Sequence, residues 1–339
     1  MSTTVTCIPY YTLINKVKEL GNYGVRAFLK ECPDPAKVIN ALVPSRRSVM
    51  AFVAGKGDIE MMDTLVEFGG DLNIERTRPT KSKNTPLMVA IIEKQNHMIT
   101  YLLKKGADPT LTNANGISPL LLAVRRHNRG IVELLLSYGA DPNVQHAKLS
   151  FSPLNQAISS FREDIVSVLL KAGANPTAPD RDGFAPIHIA CNCGMLAVVR
   201  SLVDRGAPID VMTRMGYSSF YYACVSAMRK HYRSNFCKKG FDVREAIDFF
   251  MSNGYPVFRD ISNPKYELLS EAFCGGTASL IIKQYLTDAR LKRLLLNKVA
   301  LKMSEENEKL IREVLIGGKR KQEPHGPDRH EKSSGVGKH

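Results

Sequence analysis

A chain of 339 residues with 44% hydrophobic residues and a formal net charge of +14 has enough apolar content for a continuous core, which excludes a disordered polymer. It holds no Trp and only 7% aromatic residues, a composition that suits thin helical layers of Leu, Ile, Val and Ala better than a thick β-sandwich. No uncharged apolar stretch approaches the roughly 18 residues of a membrane span, and seven cysteines at low density exclude a disulfide-stapled miniature fold.

The segment Met1 to Tyr11 lacks the basic start, apolar run and small-residue cleavage site of a secretory signal. The expected location is therefore intracellular, cytoplasmic or nuclear, with reduced thiols. Leu13 to Lys30 predicts a helix pair divided at Gly21-Asn22, an N-terminal helical cap within residues 1–45.

A repeat then begins. Thr85-Pro86-Leu87-Met88-Val89-Ala90 recurs as Ser118-Pro119-Leu120-Leu121-Leu122-Ala123, as Ser152-Pro153-Leu154-Asn155-Gln156-Ala157 and as Ala185-Pro186-Ile187-His188-Ile189-Ala190. The prolines lie 33, 34 and 33 residues apart. A second marker closes each unit, at Gly106-Ala107-Asp108-Pro109, Gly139-Ala140-Asp141-Pro142, Gly173-Ala174-Asn175-Pro176 and Gly206-Ala207-Pro208, and these glycines keep the same 33, 34 and 33 spacing. Upstream, Met50 to Ala54 and Gly69-Gly70-Asp71 fit the template 37 residues before their counterparts, which places four inserted residues in the basic connection from Arg76 to Lys83. Downstream, Ser218-Ser219-Phe220-Tyr221-Tyr222-Ala223 is in register, but Gly254 arrives 48 residues after Gly206. The extra 15 residues are expected between the two helices of that unit. Residues 264–316 hold a worn seventh unit around Ala272 and Gly276 and an amphipathic stretch from Arg290 to Leu315, and the polar chain from Lys319 onward is expected to be disordered.

Each mark has a physical reading. Ser or Thr caps a first helix, and Pro fits its first turn, where its missing N–H would have no partner anyway. Ile131, Val132, Leu134, Leu135 and Leu136 predict a buried second helix, and Gly139 supplies the left-handed residue that ends it.

On these residues the chain resembles the ankyrin-repeat family, whose unit carries T-P-L-H-x-A, two helices and a G-A-D turn leading into a β-hairpin. The resemblance implies an all-α solenoid of about six to seven helix-turn-helix units with β-hairpin connections, atypical caps and a basic tail. Its divisions would be a cap over 1–45, the solenoid over 46–260 with an insert at 225–240, a degenerate repeat and C-terminal helical cap over 261–316, and a tail over 317–339. It further implies a protein-binding scaffold or adaptor, not an enzyme, with no cofactor.

The residues offer little else. Gly317-Gly318-Lys319 lacks the glycine and the following Ser or Thr of a phosphate loop, and neither a G-x-S-x-G elbow nor an H-E-x-x-H motif occurs. His188 stands at the structural T-P-L-H position, although Ala185 replaces its usual Thr partner. Cys191-Asn192-Cys193 has no second pair at zinc spacing, and Cys191 and Cys224, 33 apart, read as core packing.

The resemblance directs partner binding to a concave edge built from hairpin tips and first helices. The residue before each cap reads Ile117, Phe151, Phe184 and Tyr217, an apolar and aromatic ladder. Beside it are Asn115, Arg125, Arg126, Lys148, Arg181, Arg214 and Tyr221, a mixed basic and aromatic set suited to an acidic or phosphorylated peptide segment. The rest of the positive charge sits on appendages. Residues 74–83 carry +3, with Arg76, Arg78, Lys81 and Lys83; residues 225–240 carry +5, with Arg229, Lys230, Arg233, Lys238 and Lys239; residues 287–339 carry +5. Tyr232 and Phe236 interleave the second of these segments. It reads either as a solvated loop or as a nucleic-acid or anionic-surface contact, the alternative function.

Overall fold

Ser, Thr and Pro at the head of each unit set where its first helix begins. The computed structural model describes residues 10–41, 48–74, 84–145, 151–231 and 243–255, the side chains of residues 10–12, 227–231, 243–244 and 247 excepted. It contains fifteen helices among the described residues. The chain divides into two compact units, residues 1–255 and 256–339, and the second lies outside the described residues. So do the expected seventh unit, the helix from Arg290 and the tail.

The chain begins with three helices, α1 (Tyr10–Glu19), α2 (Gly21–Glu31) and α3 (Pro35–Ile39), the first two divided before Gly21. Six helix pairs follow: α4 (Val49–Lys56) and α5 (Ile59–Glu67), α6 (Pro86–Ile92) and α7 (Asn96–Lys104), α8 (Pro119–Arg125) and α9 (Arg129–Ser137), α10 (Pro153–Ser159) and α11 (Glu163–Lys171), α12 (Pro186–Asn192) and α13 (Leu196–Val203), and α14 (Ser219–His231) and α15 (Val243–Ser252). Ser48, Thr85, Ser118 and Ser152 each accept a hydrogen bond from the backbone N–H three residues on, at 3.1–3.3 Å, the expected N-cap. The first helices form one layer, α4 on α6, then α8, α10, α12 and α14, while α5, α7, α9 and α11 form a second layer in the same order.

That stacking explains why the two helix types differ in sequence. A first helix is covered by neighbours on both sides and by its own partner, so α6 buries Pro86, Leu87, Met88, Val89, Ala90 and Ile91. A second helix has one open flank. α9 buries Ile131, Val132 and Leu135, whereas Leu134 and Leu136, also expected in the core, are half-buried because they lie on the shoulders of that helix. α14 also departs from expectation. It runs to His231, so the insert begins as an extension of the first helix, through Ala227, Met228, Arg229 and Lys230, which favour helix and include no Gly or Pro.

Each second helix ends on a left-handed glycine. At Gly139 φ is 87°, its N–H bonds the Leu136 carbonyl at 3.1 Å and the Ala140 N–H bonds that of Leu135 at 3.0 Å. The turn between the two helices of a unit also holds one left-handed residue, at Gly57, Lys94, His127, Phe161 and Gly194 in successive units. Asn side chains tie one unit to the next. Asn73 accepts from the Asp108 N–H at 2.8 Å; Asn143 accepts from the Asn175 N–H at 2.7 Å and donates to the Gly173 carbonyl at 3.1 Å.

The hairpins are short. Asn113 N–H bonds the Ile117 carbonyl, Asp180 N–H that of Phe184 and Thr213 N–H that of Tyr217, at 2.9–3.0 Å. A single antiparallel bridge, Met212 with Ser218, is the only β pairing among the described residues.

Candidate functional site

The side chains of Asn113, Asp180 and Thr213 hold their turns from within. Asp180 Oδ1 accepts from the N–H groups of Asp182 and Phe184, and Asn113 Oδ1 accepts from those of Asn115 and Ile117. The next residue along is the N-cap of the first helix. Ile117, Phe184 and Tyr217 are thus carried between a closed turn and a helix cap, with little conformational freedom, and all three are half-buried, as is Phe151.

At the C-terminal side of the stack the ladder becomes a ring cluster. Phe184 lies 5.3 Å from Tyr222, ring centre to centre, and 6.2 Å from His188. Tyr222 also meets Tyr217 at 6.3 Å and Tyr221 at 5.3 Å, and Tyr217 stacks on Tyr221 at 4.5 Å and 23°. These separations suit edge-to-face and offset pairing. Tyr222 is the hub of the cluster and was missed by sequence reasoning. Its signal was present: with Leu122, Gln156 and Ile189 it forms a half-buried column at 33 or 34 residue spacing along the first helices.

Tyr221 belongs to a different column. It is the counterpart of Met88, Leu121, Asn155 and His188, and at 9% exposure it turns inward while Tyr217 covers it. Asn115 is half-buried, and Arg181 and Arg214 are exposed at their hairpin tips. Those tips approach each other, the Arg214 N–H bonding the Asp182 carbonyl at 3.4 Å. A Cβ on Gly183 would fall 2.8 Å from the Arg214 nitrogen, so only glycine fits there. Arg125 is exposed and donates to Gln156 Oε1 at 3.2 Å, linking units along the first-helix layer. Arg126 is not beside the ladder. It is the C-cap of α8, a full helix length from Ile117, or about 10 Å at 1.5 Å per residue. Lys148, Arg76, Arg78, Lys81, Lys83, Arg233, Lys238 and Lys239 lie outside the described residues, as do Tyr232 and Phe236; Arg229 and Lys230 are on α14.

His188 shows how the inward column works. Its Nδ1 accepts from the Ala185 N–H at 3.0 Å, bonding the N-cap residue's own amide, so the proton sits on Nε2, which donates to the Val211 carbonyl at 3.0 Å. One neutral imidazole thus caps its own helix and holds the next hairpin. Burial holds its pKa below the usual imidazole value, against weaker opposing effects from the Val211 bond and Asp180. Protonation at Nδ1 would remove the Ala185 bond. With the folded value below the unfolded one, the stability due to His188 is fully present above about pH 6.5 and is lost as pH falls below that. Thermal melts of wild type and His188→Leu should therefore differ more at pH 7 than at pH 5. An equal gap at both would show that the folded imidazole is not held neutral.

Cys191 and Cys224 are buried thiols in no disulfide among the described residues, and burial, with Cys224 and Cys193 nearby, raises the Cys191 pKa well above its usual value. Such thiols pack; they do not react.

A family model describing ankyrin repeats in three copies matches residues 13–113, 50–146, 107–180 and 154–238. The chain belongs to the ankyrin-repeat family. Those matches span most of the chain. A search of curated proteins found no match. Ankyrin repeats are general protein-interaction modules, typically without enzymatic activity, and no helix among the described residues is long and apolar enough to cross a membrane.

Proposed function

We propose that this ankyrin-repeat protein is a non-enzymatic intracellular adaptor that binds an extended segment of a protein partner along Ile117, Phe151, Phe184 and Tyr217. The observation that carries the reading is the continuous ring cluster Phe184, Tyr222 and Tyr217, half-exposed and held rigid by hairpin and helix cap. Rigid, part-buried aromatics lose little conformational entropy on binding and dominate interfaces for that reason. Arg181 and Arg214, exposed beside the rings, suit an acidic or phosphorylated segment.

Partners captured from cells by the wild-type chain can be compared with those retained by two variants. Phe151→Ala/Phe184→Ala/Tyr217→Ala should lose the main partner at a cost of about 2 kcal/mol or more of binding per anchor. Some folding stability goes too, because these rings touch one another. Arg181→Glu/Arg214→Glu changes only exposed atoms and should slow association without unfolding. Normal binding by both variants would reject this surface. Capture of nucleic acid instead, weakening steeply with salt, would replace the adaptor reading by the basic segments.

A further inference from the structure

The far ends of the first helices carry a second cluster that the concave edge does not use. An open cleft of about 330 Å³ lies between the α6–α7 and α8–α9 turns, and Lys94, Asn96, Arg126, His127, Asn128 and Arg129 form its polar rim. No carboxylate lines it. Arg129 is paired with Glu133 at 2.8 Å, but Lys94 and Arg126 have no ion-pair partner among the described residues. Gly130 is exposed on the first turn of α9, where Asn128 Oδ1 already accepts from the Ile131 N–H at 3.2 Å.

The backbone at this face is strained in a patterned way. Gly57 and Gly194 take the left-handed turn position in the flanking units, where glycine has no steric cost. Lys94, His127 and Phe161 take it in the three central units at φ 61°, 56° and 56°, and for side-chain-bearing residues that conformation costs about 1–2 kcal/mol each. Phe161 is also 48% exposed, so neither local geometry nor burial favours it. Arg162, the next residue, donates to the His127 carbonyl at 2.8 Å, joining the Phe161 turn to the cleft. Strain repeated in adjacent units sets Lys94, His127 and Phe161 along one face, beside the Arg126 cation.

We infer that the helix-turn face of the three central units is a second binding surface, taking an acidic, carboxylate-bearing segment of a protein partner, with Lys94 and Arg126 meeting carboxylates in the cleft and Phe161 meeting an apolar side chain. It is separate from the concave edge and stands whether or not that edge binds. An adaptor with both surfaces holds two protein segments at once, on opposite ends of the same helices.

The probe is a fluorescein-labelled decaglutamate peptide titrated into the full chain, read by anisotropy. Lys94→Glu/Arg126→Glu should weaken binding about tenfold or more at low salt, and Lys94→Gln/Arg126→Gln severalfold. Lys94 and Arg126 are exposed and form no ion pair among the described residues, so thermal unfolding should move little. Hydrogen exchange at residues 94–96 and 126–130 should slow when the peptide is added. The Phe151→Ala/Phe184→Ala/Tyr217→Ala variant should bind the peptide normally, which separates this surface from the concave one. His127→Gly should raise the melting temperature and weaken peptide binding together. Unchanged affinity in both Lys94/Arg126 variants would overturn the inference and assign the peptide to other basic segments. So would tight binding of a single-stranded oligonucleotide of equal charge in place of the peptide, since the cleft would then read phosphates.

Discussion

Leu135→Ala is expected to lower the stability of the solenoid by about 2–5 kcal/mol, the usual cost of emptying a fully buried leucine site. Leu135 is wholly buried on α9, at the centre of the second layer, where α9 packs on both α7 and α11. Adjacent units are tied at their loops by Asn side chains and have little room to close on the void, which favours the upper half of that range. The consequence in a linear stack goes beyond one site. Each unit is stable only against its neighbours, so weakening the central interface should separate the unfolding of the units before α8 from that of the units after α9. Chemical denaturation followed by circular dichroism should show a lower midpoint and a broadened transition for Leu135→Ala. Leu134→Ala, at the half-buried neighbour, should cost clearly less. Equal losses at the two positions would show that the α9 face has been assigned wrongly.

Asn155→Leu is expected to stabilise the protein by about 1–3 kcal/mol, the penalty of a buried polar group with no partner. Asn155 is completely buried on α10, and neither its amide oxygen nor its amide nitrogen meets a hydrogen-bonding group among the described residues. Its backbone N–H is already satisfied by Ser152, so the side chain is not needed as a cap. The column it occupies explains the mismatch. Leu121 and Met88 fill the same position with apolar side chains, and His188 fills it with a ring long enough to reach the Val211 carbonyl in the next hairpin. Asparagine is polar but too short for that reach. Asn155→His should therefore also stabilise, by bonding the Ala178 carbonyl, the register counterpart of Val211. Melting temperatures of both variants decide the matter, and a drop in each would mean that Asn155 has a structural partner of its own.

The architecture was legible because the physics that sets it is local. Ser or Thr before Pro starts a helix wherever it occurs, a left-handed glycine ends one, and two such markers in one register along the chain leave few folds open. The inward facing of Leu135 and of the Cys191 and Cys224 thiols followed from the same 33-residue step. Features that depend on one chain segment meeting another were not legible. Arg126 looked like a neighbour of Ile117 by sequence, but a helix of seven residues stands between them. Tyr221 and Tyr222 are adjacent and chemically alike, yet one is buried beneath Tyr217 and the other meets Phe184 of the preceding unit, a choice made by the 100° step of the helix and the position of Phe184. The same holds for the strained turn face. The sequence alone determined which residues cap, turn and pack. Only tertiary contact decided that Asn155 would find no partner, that Phe184 and Tyr222 would join across two units, and that Lys94 and Arg126 would share one cleft, because side-chain reach and burial exist only once neighbouring units are stacked.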